Sequence, residues 1–213
     1  MNLVTTIART DLGRLVMVPV AAGFLALDLS AFARHGGLNG PGLLSAVPAC
    51  AFYGLIIWCY LRRSRATATS RSVTAHLAAI TGTAAPFAFP LLAGPAAGGV
   101  RLWAGDTLVV AGVGWALWAL WSLGRSVSVL AQARSLVDRG PYHWVRHPLY
   151  TGEIVSSLGL AVMVWRPAGL GLWAGFCALQ AYRAVREEQL LVQAMPGYRG
   201  YQGRTAALLP GIF

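Results

Sequence analysis

Apolar residues run through this chain in blocks of 17 to 20, separated by short stretches rich in arginine, glycine and proline. A bilayer crossing takes about 20 apolar residues in a helix, so the blocks predict membrane helices. The first runs from about Leu15 to Ala33, with Asp28 near its end, and the second from about Leu43 to Leu61. A third, from about Val73 to Leu92, contains His76, Gly82, Pro86 and Pro90. Proline removes a backbone donor, so this helix is expected to kink or stop early. Gly94 to Asp106 reads as a loop carrying Arg101, and a fourth span follows from about Thr107 to Leu123. Trp115, Trp118 and Trp121 recur in it at every third position, roughly along one face.

Beyond Leu123 the pattern changes. Gly124 to Arg139 is more polar and reads as an extension of the fourth helix out of the bilayer. Apolar character returns from Ile154 to Trp165, breaks at Arg166-Pro167, and resumes from Ala168 to about Ala184. Twelve helical residues reach only about 18 Å, so this segment reads as one arm of a helical hairpin with its turn at Arg166-Pro167. The predicted fold is an all-α polytopic membrane protein of five to six embedded helices. It divides into N-terminal spans (1–123) and a region with the linker, hairpin and tail (124–213).

Composition strengthens the membrane reading. The chain of 213 residues is 56% hydrophobic and 11% charged, with a mean hydropathy of +0.58. A soluble domain carries about twice that charge. All 17 basic residues are arginine, against 7 acidic ones. A net charge of +10 suits nucleic acid as well as membrane, but arginines placed between apolar blocks point to anionic headgroups. With the N-terminus inside, only Arg34, Arg101 and Arg166 of the 17 fall outside. The positive-inside rule therefore orients the chain with its N-terminus in the cytoplasm. Cys50, Cys59 and Cys177 sit in apolar segments without metal-like spacing.

That orientation places two polar regions on one side: Gly140–Glu153 and Arg183–Arg204. The first holds Tyr142, His143, Arg146, His147, Pro148, Tyr150 and Glu153 within fourteen positions. The second holds Arg183, Arg186, Glu187 and Glu188. Pro148 fixes its own φ and pushes His147 toward an extended backbone. Guanidinium, imidazole, phenol and carboxylate groups together suit a ligand bearing both charges. They do not suit a metal, because the proline denies His143 and His147 a shared helix.

The run from Gly140 to Gly152, with Leu136-Val137 before it, resembles the signature of the isoprenylcysteine carboxyl methyltransferase family and its bacterial and phospholipid-methylating relatives. Arg186-Glu187-Glu188-Gln189-Leu190-Leu191 and Tyr198-Arg199-Gly200-Tyr201 follow in the family's order. The resemblance covers roughly Gln132 to Phe213; residues 1–123 share only a series of spans. Met195-Pro196-Gly197 stands where the family has Phe-Gly before the tail tyrosines.

The resemblance implies a membrane enzyme that transfers a methyl group from S-adenosyl-L-methionine without a Rossmann domain. It implies cofactor contacts from Gln132, Leu136, Val137, Gly140, Tyr142, Arg146, His147, Pro148, Tyr150, Gly152, Glu187 and Glu188. It also implies an arginine near the reacting centre, Arg183 or Arg186, one turn apart. Glu153 joins the catalytic candidates, since an amine acceptor needs a base and either His147 or Glu153 offers one; a carboxylate acceptor needs no base and suits an arginine fork. The acceptor is a lipid or other apolar molecule entering from the inner membrane, and no nucleic acid is expected. The competing readings are a nicotinamide-dependent membrane reductase and a non-enzymatic transporter or structural protein.

Overall fold

A computed structural model describes residues 12–34, 42–62, 68–69, 73–92, 99–126, 132–133 and 136–209. Arg9, Arg63, Arg65, Arg71 and Arg134, counted among the inner arginines, lie outside these residues. So do the side chains of Asp28, His76 and Gln132.

The described chain is helical. Helix α1 is Leu12–Arg34 and α2 is Gly42–Arg62, close to the limits read from the apolar blocks. Helix α3, Val73–Ala84, passes into a 3-10 segment, Ala85–Leu92, at the prolines. Helix α4 is Val100–Leu123, α5 is Pro148–Val164, α6 is Pro167–Ala194 and α7 is the short Tyr198–Gln202. Two short strands, β1 (Ala68–Thr69) and β2 (Gln132–Ala133), pair antiparallel, with Ala68 opposite Ala133 and Thr69 opposite Gln132. Neighbouring helices pack in the order α1, α2, α4, α5, α6, α3.

Two expectations need correction. Residues 100–106, read as loop because of Arg101 and Asp106, form the first turns of α4, and Asp106 is buried there. Tertiary packing overrides the local polar signal: the Gly105–Gly112 face beside Asp106 lies against α5. Beyond Leu123 the helix does not run on. Gly124 adopts φ 52°, a 3-10 turn covers Gly124–Ser126, and β2 follows. The left-handed backbone at a glycine ends the helix where a side chain would have continued it.

Among the described residues one helix, Val100–Ser126, has the length and hydropathy of a membrane span. Arg14–Leu27, Cys50–Arg62 and Pro148–Val164 are shorter apolar helices. The α5–α6 hairpin turns at Trp165-Arg166, with Trp165 at φ 43°. Helices α4 and α5 approach closely because both carry glycine at a seven-residue interval. A Cβ added at Gly112 would lie 2.4 Å from Ser156 N, and one at Gly159 would lie 2.5 Å from Gly105 O. Small residues let two backbones meet in an apolar medium, where dispersion contacts hold helices together.

Candidate active site

The site begins where α5 starts. Pro148 at the first helical position leaves no orphaned N–H, and His147 precedes it at φ −125° and ψ 57°. That ψ is lower than the extended value expected before proline. Backbone bonds hold it: His147 N–H donates to Ala207 O at 3.0 Å, and its carbonyl accepts from Thr151 N at 3.1 Å. The tail runs parallel to this loop through the Val145–Ala206 bridge, with Arg146 N donating to Ala206 O at 2.8 Å. Thr151 Oγ1 donates to Leu208 O at 2.6 Å. Residues 205–208 therefore form a wall of the site.

Arg146 joins the two. Its Nε donates to Glu188 Oε1 at 2.6 Å, and its Nη1 donates to Gln202 O at 3.1 Å and to Thr205 O. His147 Nε2 lies 3.1 Å from Glu188 Oε1, and its Nδ1 lies 3.8 Å from Glu187 Oε2. One imidazole thus faces both adjacent carboxylates. Gln202 Nε2 donates to Glu188 Oε2 at 2.8 Å. Above His147, the Tyr150 ring stacks with a centroid separation of 5.4 Å, and its hydroxyl donates to Glu187.

The two carboxylates follow the apolar run of α6, and their environments separate them. Burial favours protonation of Glu188, but hydrogen bonds and charge from His147 and Arg146 outweigh it and hold the carboxyl at about 2. Glu187 moves the other way: burial raises it above the ordinary carboxylate range despite His147, Arg183 and the Tyr150 hydroxyl. Tyr201, whose hydroxyl donates to Tyr142 O at 2.6 Å, is pushed up to about 12 by burial.

A second layer lies deeper in the hairpin. Gln180 is fully buried; its Nε2 donates to Glu153, and its Oε1 accepts from Arg183 Nη1 at 2.7 Å. The Arg183 guanidinium lies 4.6 Å from the Tyr150 ring centroid. Glutamine alone among the amides and acids of its length can bridge a carboxylate and a guanidinium, donating to one and accepting from the other.

The structure brings together Arg146, His147, Tyr150, Glu153, Arg183, Glu187 and Glu188. Pro148 and Tyr142 are buried beside them, and Gly140 turns the loop at φ 61° against Ser122. Gly152 instead faces α4, where a Cβ would meet Gly112 O at 2.6 Å. Leu136 is exposed and Val137 half-buried, and Gln132 contributes its backbone to the β1–β2 pair. Arg186 points elsewhere: it donates to Gln189 Oε1 at 3.0 Å and lies over Tyr182. The choice left between Arg183 and Arg186 is thus a geometric difference of one turn. Sequence reasoning misses Gln180 and Gln202, single glutamines outside any motif. Among the described residues no cluster of metal-ligating side chains occurs.

The helical bundle with its C-terminal hairpin is similar to a solved fold. The solved structure of the eukaryotic intramembrane Ras methyltransferase ICMT is similar over all of this chain and 88% of that one, with a TM-score of 0.51 and 19% identity. Residues 100–195 match the phospholipid methyltransferase family. A cobalt-zinc-cadmium resistance protein of Cupriavidus metallidurans is 36% identical over 79 residues, 37% of each chain. A nickel-cobalt-cadmium resistance protein of Alcaligenes xylosoxydans xylosoxydans is 33% identical over 82 residues, 38% of each. The match spans less than two fifths of these curated relatives.

Proposed function

We propose that the protein uses S-adenosyl-L-methionine to methylate a lipid or other apolar acceptor at the cytoplasmic face of the inner membrane. The observation that carries this reading is the convergence of Arg146, His147, Tyr150, Glu187 and Glu188 from two chain segments at one end of the α5–α6 hairpin. The donor set fits the cofactor. Carboxylates suit its ammonium and ribose hydroxyls, and stacked aromatic faces suit its sulfonium. When bound, it supplies an activated methyl group on a positively charged sulfur.

The residues divide the work. Glu187, His147 and Tyr150 hold the ligand, while Arg146 and Glu188 act chiefly by pinning the tail against the loop. Gln132, Leu136, Val137, Gly140 and Tyr142 belong to the surrounding wall on the resemblance. Arg183, backed by Gln180 and Glu153, faces the acceptor from the membrane side. For a carboxylate acceptor its guanidinium fork orients the nucleophilic oxygen, and no proton moves. For an amine acceptor Glu153 takes the ammonium proton before the nitrogen lone pair attacks. Exclusion of water by the hairpin and tail raises the worth of each charged contact. Residues 1–123 supply the membrane helices, and 124–213 the chemistry.

Calorimetric titration of the purified full chain with S-adenosylmethionine and with NADPH tests the reading. Binding of the former alone is expected, and Glu187→Gln weakens it on the order of tenfold or more. A folded sample that binds NADPH instead, or neither, removes the proposal. Labelled methyl transferred into host lipid extract then sorts the acceptor: an alkali-labile label marks a carboxylate, a stable headgroup label an amine.

A further inference from the structure

Helix α3 lies outside the region matched to the methyltransferase family, yet its Gly82 touches the deeper layer of the site. Gly82 is buried. A methyl group added there would lie 2.7 Å from Arg183 Nη1, 3.0 Å from its Cδ and 3.4 Å from its Cζ. The arginine side chain therefore lies flat across the one place on α3 where no Cβ projects. Two further contacts are the Tyr150 ring at 4.6 Å and Gln180 Oε1 at 2.7 Å. The Gly82 backbone adds a wall from α3, and a side chain there would press on the guanidinium.

We propose that Gly82 is a positioning residue: its missing side chain sets where the Arg183 guanidinium sits, and so where the acceptor is held. This rests on the reading of Arg183 as the group that meets the acceptor. Position and stability make opposite demands here. Alanine has the higher helix propensity, so Gly82→Ala favours α3 itself. The contact it creates is with the far end of a flexible side chain, which yields by moving rather than by parting the helices. A site residue and a packing residue are therefore distinguishable by sign.

The test uses the full chain in nanodiscs, with Gly82→Ala, Gly82→Ser and the control Gly114→Ala, a helical glycine with nothing within 4 Å of an added Cβ. Three quantities are read. These are methyl transfer from S-adenosylmethionine into host lipid extract, the thermal midpoint, and the arginine Nε resonance of nitrogen-15 arginine-labelled protein, with Arg183 assigned by Arg183→Lys. For Gly82→Ala, kcat falls on the order of 10- to 100-fold, the cost of a misplacement near 1 Å. S-adenosylmethionine affinity and the thermal midpoint hold or rise, and the Arg183 resonance moves. Gly82→Ser behaves alike, and Gly114→Ala leaves turnover, S-adenosylmethionine affinity and the Arg183 resonance unchanged. Wild-type turnover in both Gly82 variants, or an unmoved Arg183 resonance, overturns the proposal. So does a fall in kcat matched by a fall in the thermal midpoint. If the wild-type chain transfers no methyl group while the resonance still moves in Gly82→Ala, the methyltransferase reading fails and the positioning role stands.

Discussion

The apolar helices α1, α2 and α4 and the segment from 140 to 209 are built on different principles. In the first, Cys59 and Tyr60 of α2 pack on Leu120 of α4, ringed by Met17, Val18, Phe52, Leu55, Ile56 and Leu123. Such contacts are individually weak and interchangeable in shape. In the second, Arg146, His147, Glu188, Gln202 and Thr205 hold one another through directed bonds. Every group there has one geometry that satisfies it, and losing one strands the rest. The first region can drift in sequence while keeping its form. The second cannot lose one group without leaving its partners unsatisfied.

Arg146→Ala breaks the second region most severely. It removes bonds to a carboxylate and two carbonyls at once, and the abandoned Glu188 is itself largely buried, its side chain 17% exposed. A loss of about 3 kcal/mol is expected, read as a lower thermal midpoint together with lost S-adenosylmethionine binding. Leu120→Ala, in the apolar region, costs a similar 2–4 kcal/mol or so by opening a cavity. Here binding should survive in the folded fraction, which calorimetry below the midpoint checks. Equal loss of binding from both variants would erase the distinction between the regions.

Gly112→Val has a smaller but sharper effect. Its side chain meets the backbone of Ser156 and Gly152, which cannot rotate away, so α4 and α5 must separate at a cost of about 1–3 kcal/mol. Gly114→Ala, two positions on and facing open space, is neutral or mildly stabilising. Paired denaturation curves decide this.

Acid acts on the second region through Glu188. Its folded value of about 2 lies below the ordinary 4.5, so its stabilisation is complete above pH 4.5 and drains away as pH falls toward 2. Thermal midpoints between pH 2 and 7 should fall with acid more steeply in the wild type than in Glu188→Gln. The smallest expected effect belongs to Arg204 and Asp138, paired at 3.0 Å with both side chains more than half exposed. Asp138→Asn should change stability by less than about 1 kcal/mol, within the error of most melts.

Much of this contrast is legible in the sequence. Long apolar blocks bounded by arginine and glycine set α1 and α2 within a few residues, and Pro86 and Pro90 mark where α3 loosens. Arg166-Pro167 marks the hairpin turn, because proline starts α6 without an unused N–H. What stays hidden depends on partners distant in sequence. Asp106 looks like a loop residue until α5 is laid against it. Gln180 is one amide among apolar residues until Glu153 and Arg183 flank it. Gly152 belongs to a motif that suggests a ligand, yet its neighbour is α4. Glycines seven apart at 105 and 112, and again at 152 and 159, carry a readable signal of close helix approach, but only once the two helices are known to be partners.

The parallel docking of residues 205–208 on the loop before α5 has a consequence for assembly. Arg146 and Glu188 meet through the loop before α5 and through α6, whereas the carbonyls of Gln202 and Thr205 and the Gln202 amide belong to the tail. Formation of the hairpin and closure of the polar cluster therefore draw on different parts of the chain. A block to tail docking would leave the hairpin formed and the cluster open.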